Sequence, residues 1–250
     1  MYLSSIQEYY SKILSNRVNL RVLETVDTVV AKNFSPLQNK TKQNKINAVI
    51  KILAQKYPNV KTDLEHTSPF QLLIATMLSA QCTDKRVNMV TPALFASYPT
   101  AYEFARANQE DIEQLIFTTG FYKNKAKNII ACSRLLVEKF NGAVPSKMSD
   151  LLELSGVGRK TANCVLGSYF SPEGIVVDTH VIRITNLLGL VNTKNAVQIE
   201  KSLMAIIPKE HWVNFTHYLI RFGRETCISR RPKCSLCEIN FYCEHHNSRL

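Results

Sequence analysis

Leu154-Ser155-Gly156-Val157-Gly158-Arg159-Lys160 separates two short apolar patterns, Met148–Leu154 and Lys160–Phe170, that both have helical spacing. Ser149 or Asp150 can cap the first helix. In the second, Ala162, Val165, Leu166 and Tyr169 recur at i, i+3, i+4 and i+7, which predicts one buried face. Two glycines two apart make the connection too tight for side chains. A backbone that turns so sharply at a helix start presents its N–H groups and suits a phosphate. Lys160 falls in the first turn, opposite the apolar face, so packing does not account for it. A cation there meets the positive end of the helix dipole, which disfavours the charged form and favours a neutral amine. A plain helical hairpin with a solvated lysine has the same local pattern. Eighteen residues further on, Val177-Asp178-Thr179-His180 opens another helical pattern, and Asp178 alone reads first as its N-cap.

The whole chain has 250 residues, enough for one large or two modest domains, and its 45% hydrophobic content is that of a globular protein. A formal net charge of +11 points to a polyanionic partner. No run of about 18 apolar residues exists, so no membrane span is expected. Period-2 alternation bounded by turn signals is missing as well, and the fold class expected is all-α.

Seven cysteines are present, four of them near the carboxy terminus as Cys227, Cys234, Cys237 and Cys243, a C-x6-C-x2-C-x5-C spacing. The clustering favours a metal site in a reducing compartment over a spread disulfide framework. Four thiolates so close can enclose one tetrahedral zinc or one cubane cluster, although zinc ribbons usually have two C-x2-C pairs and only one occurs here. Cys82, Cys132 and Cys164 lie in apolar patterns and are expected to be buried thiols. Arg221, Arg224, Arg230, Arg231 and Lys233 face one nearby acid, Glu225, so this end is expected to form a basic lobe.

The hairpin, Thr161-Ala162-Asn163 after it, the Val177–His180 segment and the cysteine spacing together resemble the helix-hairpin-helix DNA glycosylases, specifically the endonuclease III family. Ser155 stands where that family usually has proline. The resemblance implies a two-domain helix-hairpin-helix glycosylase fold with a [4Fe–4S] cluster loop. Residues 62–172 would form a six-helix domain, and 39–61 plus 173–250 the iron–sulfur domain. Residues 1–38 would be an amino-terminal extension of unknown role, without the apolar core of a secretory signal; an organellar leader stays open. Lys160 is implied as the nucleophile, Asp178 as its assistant, and the four clustered cysteines as the cluster ligands. Leu154, Gly156, Val157 and Gly158 would grip the DNA backbone.

Earlier in the chain, Ser68-Pro69-Phe70-Gln71 is a helix start with a serine cap and proline in the first turn. Ile46, Val49, Ile50 and Leu53 form a stripe within a segment, Lys32 to Lys61, that has seven lysines and no acid. Further helices are expected over Lys85–Tyr98, Asn108–Thr118, the stretch from Gly120 to about Phe140, Asn192–Ile207 and Trp212–Arg224. The resemblance makes Gln81, in Ser79-Ala80-Gln81, the residue that fills the space left by a flipped nucleotide. It makes Phe121, after Gly120, an apolar wedge where the family usually has leucine. Lys123, Lys125 and Lys127 interleave with aromatics, which suits nucleic acid and equally a helix start with an aromatic anchor.

The implied activity is that of a DNA N-glycosylase and apurinic or apyrimidinic site lyase. It would remove oxidised or damaged pyrimidines from duplex DNA in base-excision repair and nick the strand by β-elimination. Adenine-mismatch glycosylases of the superfamily lack the lysine and carry a glutamate in the helix matching Pro69–Leu78, where this chain has no carboxylate. Alkylpurine or mismatch glycosylases of the same fold, or a non-enzymatic DNA-binding protein, are the alternatives. Arg230, Arg231 and Lys233 are expected DNA contacts, double-stranded DNA the partner and a monomer the working form. The expected location is the cytoplasm, at the nucleoid, in a bacterium, or the nucleus or an organelle in a eukaryote.

Overall fold

The structure, a computed structural model, describes residues 41–249; the extension at 1–38 lies outside the described residues. Residues 46–250 form one compact unit. In it, 46–56 are helical (α1). The chain continues through α2 (Pro69–Leu78), α3 (Asp84–Ser97), α4 (Ala101–Arg106), α5 (Gln109–Ile116), α6 (Tyr122–Phe140), α7 (Met148–Glu153) and α8 (Arg159–Tyr169). It ends with α9 (Thr179–Leu187), α10 (Ala196–Met204), α11 (Trp212–Glu225) and α12 (Glu244–Asn247). Among the described residues there is no strand, and no helix is long and apolar enough to cross a membrane.

Local chemistry sets most of these ends. The Ser68 hydroxyl accepts from Gln71 N at 3.2 Å and Pro69 occupies the first turn of α2, a cap contributing about 1 kcal/mol. The Gln71 side chain accepts from Thr67 N, one residue before the cap, at 2.9 Å. α4 is the helix that hydrophobic periodicity misses, since six residues are too few to show a period. It makes seven α-helices between 62 and 172, against the six expected. Its signal is the capping box Thr100-x-x-Glu103.

Two expectations near the hairpin change. α7 has no side-chain cap: Ser149 and Asp150 lie inside its first turn, and the Met148 N–H donates to Glu173 Oε1 at 3.2 Å. Ala162, Val165 and Leu166 are buried as expected, whereas Tyr169 is exposed and meets His66 edge-on.

Buried side chains fall into two clusters. One draws on α2 to α8, the other on α1, α9, α10, α11 and the loop to Ile239. The stripe Ile46, Val49, Ile50, Leu53 is buried in the second. α2 runs through the first, with every residue from Leu72 to Leu78 buried.

The hairpin sits on this first core. Leu154 and Val157 turn their side chains into it, so only their backbone faces outward. Gly156 has φ +74, and a Cβ there would come within 2.9 Å of Asn128 Cβ and 3.0 Å of Met77 Cε. Glycine is therefore required on both conformational and steric grounds. Ser155 Oγ donates to Asn128 Oδ1 at 3.0 Å, which ties the turn to α6. Ser155→Ala should lower stability by about 1 kcal/mol. A fall in melting temperature of about 2–4 °C by calorimetry is expected, and an unchanged value would refute the anchoring role.

Candidate active site

α8 and α9 bring the two expected catalytic residues to one cavity of about 230 Å³, lined by Lys160, Asp178, Asn163, Cys164, His180 and His217 among others. Lys160 is the second residue of α8, exposed, and among the described residues it forms no ion pair. Asp178 is indeed an N-cap: its Oδ1 accepts from Val181 N at 2.9 Å. Its other oxygen has no hydrogen-bond partner among the described residues, so one carboxylate both caps α9 and borders the cavity.

What fixes α8 was not read from the sequence. Glu200 is 3% exposed, and its carboxylate accepts from Arg159 Nε at 2.5 Å, Arg159 Nη2 at 3.1 Å and Asn163 Nδ2 at 2.7 Å. This pairing raises the Arg159 pKa. Gly174 makes room for it, since a Cβ there would lie 2.0 Å from Glu200 Oε1. The available signal was phase: Glu200 adjoins Ile199 and lies three residues before Leu203, on the buried face of α10.

Two histidines were also missed. Burial, followed by smaller opposing effects of Asp178 and Arg183, lowers the His180 pKa. Burial lowers that of His217 against the pull of Asp63 and Asp178. In both, burial favours the neutral imidazole over the cation. Cys82 and Cys164 line the same cavity and are half-buried, whereas Cys132 is buried as expected. The cavity rim corrects the charge count of the basic lobe. Arg224 pairs with Asp63 and, at 3.0 Å, with Asp84, and Arg221 lies 3.9 Å from Asp63. Of the five lobe cations, Arg230, Arg231 and Lys233 remain exposed without an ion pair among the described residues.

Gln81 and Phe121 line a second cavity of about 230 Å³ with Asn124, Asn128 and Gly156. Both have left-handed backbones, φ 52 and φ 50, and both are exposed, Phe121 by 63%. Non-glycine residues held this way cost on the order of 1 kcal/mol each, a feature that gathers at functional sites. Lys123 and Lys127 are exposed nearby, but Lys125 is turned inward and buried, so it is no phosphate contact. Gly158, the cap of α8, has nothing within 4 Å of a Cβ position, so the protein's own packing does not demand glycine there.

The four carboxy-terminal cysteines line one cavity with Ile184, Leu187, Phe222 and Ile239. All are free thiols, and no three metal-ligating side chains converge on a single-ion site among the described residues. Burial raises the Cys227 pKa, and it pushes Cys237 up to about 11 with help from Cys227 and Cys243. Grouped thiolates in such a place need a cation to form, so the donor set fits a thiophilic metal centre. Arg183 Nη1 reaches Cys227 Sγ at 3.4 Å.

This constellation, a helical hairpin, a cavity lined by a lysine and an aspartate, and a four-cysteine loop, belongs to a base-excision repair fold. Residues 74–209 match the family described as HhH-GPD superfamily base excision DNA repair protein. The endonuclease III of Synechocystis is 46% identical over 204 residues, covering 81% of this chain and 93% of that protein. The endonuclease III of Escherichia coli K12 is 42% identical, covering 77% and 92%. A solved non-covalent endonuclease III–DNA complex superposes with TM-score 0.78 at 41% identity, covering 83% of this chain and 97% of that one. A trapped endonuclease III–DNA covalent intermediate matches equally well. The chain belongs to the endonuclease III family.

Removing the Glu200 carboxylate would strand buried Asn163, while half-exposed Arg159 recovers water. Glu200→Ala should therefore cost about 2–3 kcal/mol. Denaturant unfolding should show a midpoint shift with an unchanged slope, and a variant as stable as the parent would contradict the bracing role.

Proposed function

We propose that this protein is a bifunctional DNA glycosylase and apurinic or apyrimidinic site lyase. It removes oxidised or otherwise damaged pyrimidines from duplex DNA and nicks the strand by β-elimination. One observation carries this reading: a lysine at the start of a hairpin helix, with no ion pair among the described residues, shares a cavity with a carboxylate that has one oxygen without a hydrogen-bond partner among them.

A base inside the stack is out of reach, so the damaged nucleotide is extruded, at a cost of a few kcal/mol. Gln81 fills the vacated space and Phe121 wedges the helix open. The backbone of Leu154, Gly156, Val157 and Gly158 holds a phosphate at the α8 amino terminus, where open space at Gly158 admits it. Lys160 then attacks the sugar C1′ as a neutral amine, and the C1′–N bond to the base breaks with its electron pair leaving on the base. Asp178 accepts the proton that the attacking nitrogen sheds and stabilises positive charge growing on the sugar. The nitrogen lone pair then forms a C1′=N double bond as the C1′–O4′ bond opens, its electron pair leaving on O4′, which takes up a proton. The Schiff base so formed makes the C2′ proton acidic, and its loss expels the 3′ phosphate. Arg230, Arg231 and Lys233 neutralise backbone phosphates of the bound duplex.

Cys227, Cys234, Cys237 and Cys243 would hold a [4Fe–4S] cluster. Sugar chemistry needs no redox change, so the centre would serve as a cross-link that orders the basic loop. The two buried cores would be the two domains, residues 62–172 on one side and 39–61 with 173–250 on the other.

Lys160→Gln should abolish borohydride trapping on abasic DNA and strand nicking while duplex binding persists. Asp178→Asn should lose most of the glycosylase rate without loss of stability, because asparagine caps a helix as well as aspartate does. Nicking by Lys160→Gln near the parent rate would refute the nucleophile assignment; a large stability loss in Asp178→Asn would mean that the carboxylate serves only folding. For the cofactor, Cys237→Ser should lose iron by direct metal analysis and expose the 227–243 loop to protease. A zinc-containing, colourless parent protein would refute the cluster.

A further inference from the structure

Lys125 breaks three local rules at once. It sits in the first turn of α6, where the helix dipole opposes a cation; it is 7% exposed; and among the described residues no carboxylate pairs with it. Burial lowers its pKa. Its ammonium donates to Leu78 O at 2.8 Å and to Thr119 O at 2.9 Å. Leu78 is the last residue of α2, and Thr119 ends the 3-10 turn Phe117–Thr119. Both carbonyls are helix-end acceptors without intrahelical partners, at the negative pole of their elements. One ammonium therefore caps two helix ends that are 47 and 6 residues away in sequence.

The two capped ends lead directly into the two exposed residues of the second cavity. The chain leaves Leu78 and reaches Gln81 three residues on; it leaves Thr119 and reaches Phe121 two residues on. Both have left-handed backbones, and both face the same cavity, which Lys125 also lines. We propose that Lys125 is a positioning residue that sets the distance between Gln81 and Phe121, so that plug and wedge enter the duplex as one rigid unit. This rests on the glycosylase reading above. Lys125 is buried with its ammonium committed to two backbone carbonyls, so its effect falls on base extrusion rather than on the lysine chemistry at Lys160.

The test compares two substrates in the full-length protein. One is a duplex with a single oxidised pyrimidine opposite a normal purine, which must be extruded. The other is a single-stranded abasic oligonucleotide, which needs no extrusion. Lys125→Met keeps the side-chain length and removes both hydrogen bonds. Its single-turnover rate on the duplex should fall about ten- to a hundredfold, the range for lost charge-assisted hydrogen bonds. Schiff-base trapping on the single strand should change by less than about threefold. A 2-aminopurine opposite the lesion should also lose its fluorescence response at saturating protein. Equal losses on both substrates mean a merely structural lysine and overturn the proposal. If Lys125→Met does not fold, Lys125→Arg carries the test. Its wider planar head re-spaces the two carbonyls, so the duplex-to-single-strand ratio should fall at least about threefold; an unchanged ratio overturns the proposal. A parent protein that acts on neither substrate refutes the glycosylase reading itself and this proposal with it.

Discussion

A single buried carboxylate joins the parts of this protein that have to work together. Glu200 belongs to α10, whose Ile199 and Leu203 lie in the second core, and it holds Arg159 and Asn163 of α8, whose Ala162, Val165 and Leu166 lie in the first. A carboxylate so deeply buried is tolerable only when its oxygens are occupied. The requirement works in both directions: the ion needs the helix, and the helix start is held by the ion. Lys160 follows Arg159 directly, so the position of the amine is set by a neighbour that never enters the cavity.

Much of this was legible from residue type and spacing. The Gly-Val-Gly turn, the Ser68 cap and the Ile46–Leu53 stripe are local devices, and a local device is written in consecutive residues. Pairings between distant segments were not legible. Arg221 and Arg224 look like surplus charge beside Glu225, yet Asp63 and Asp84, more than a hundred residues earlier, neutralise them. Lys125 reads as one of three equivalent lysines, and only the fold separates it from Lys123 and Lys127. Side chains in irregular geometry escape for a related reason: nothing in Gln81 or Phe121 announces a positive φ. Asp178 shows a further limit, because the N-cap reading and the catalytic reading describe the same carboxylate.

Several groups here carry two duties that pull against each other. Asp178 gives one oxygen to the backbone and keeps the other for the cavity. Lys125 accepts the wrong end of its own helix in order to serve the right ends of two others. Such compromises are the departures from local consistency that natural proteins concentrate where they act on a partner. The orderly parts, α2 with its unbroken buried run and the aliphatic faces of α8 and α10, make these exceptions tolerable.

The serine in the hairpin has a thermal consequence. A proline at that position would restrict the backbone through its ring, a constraint that does not weaken on warming. The Ser155–Asn128 contact confines the same turn through a hydrogen bond, whose grip is enthalpic and competes with water. The rigidity of this turn therefore depends on temperature: firm in the cold, yielding as the protein warms. A chain built this way trades heat tolerance at this turn for compliance, and compliance there sets how far its backbone can adjust to whatever it meets.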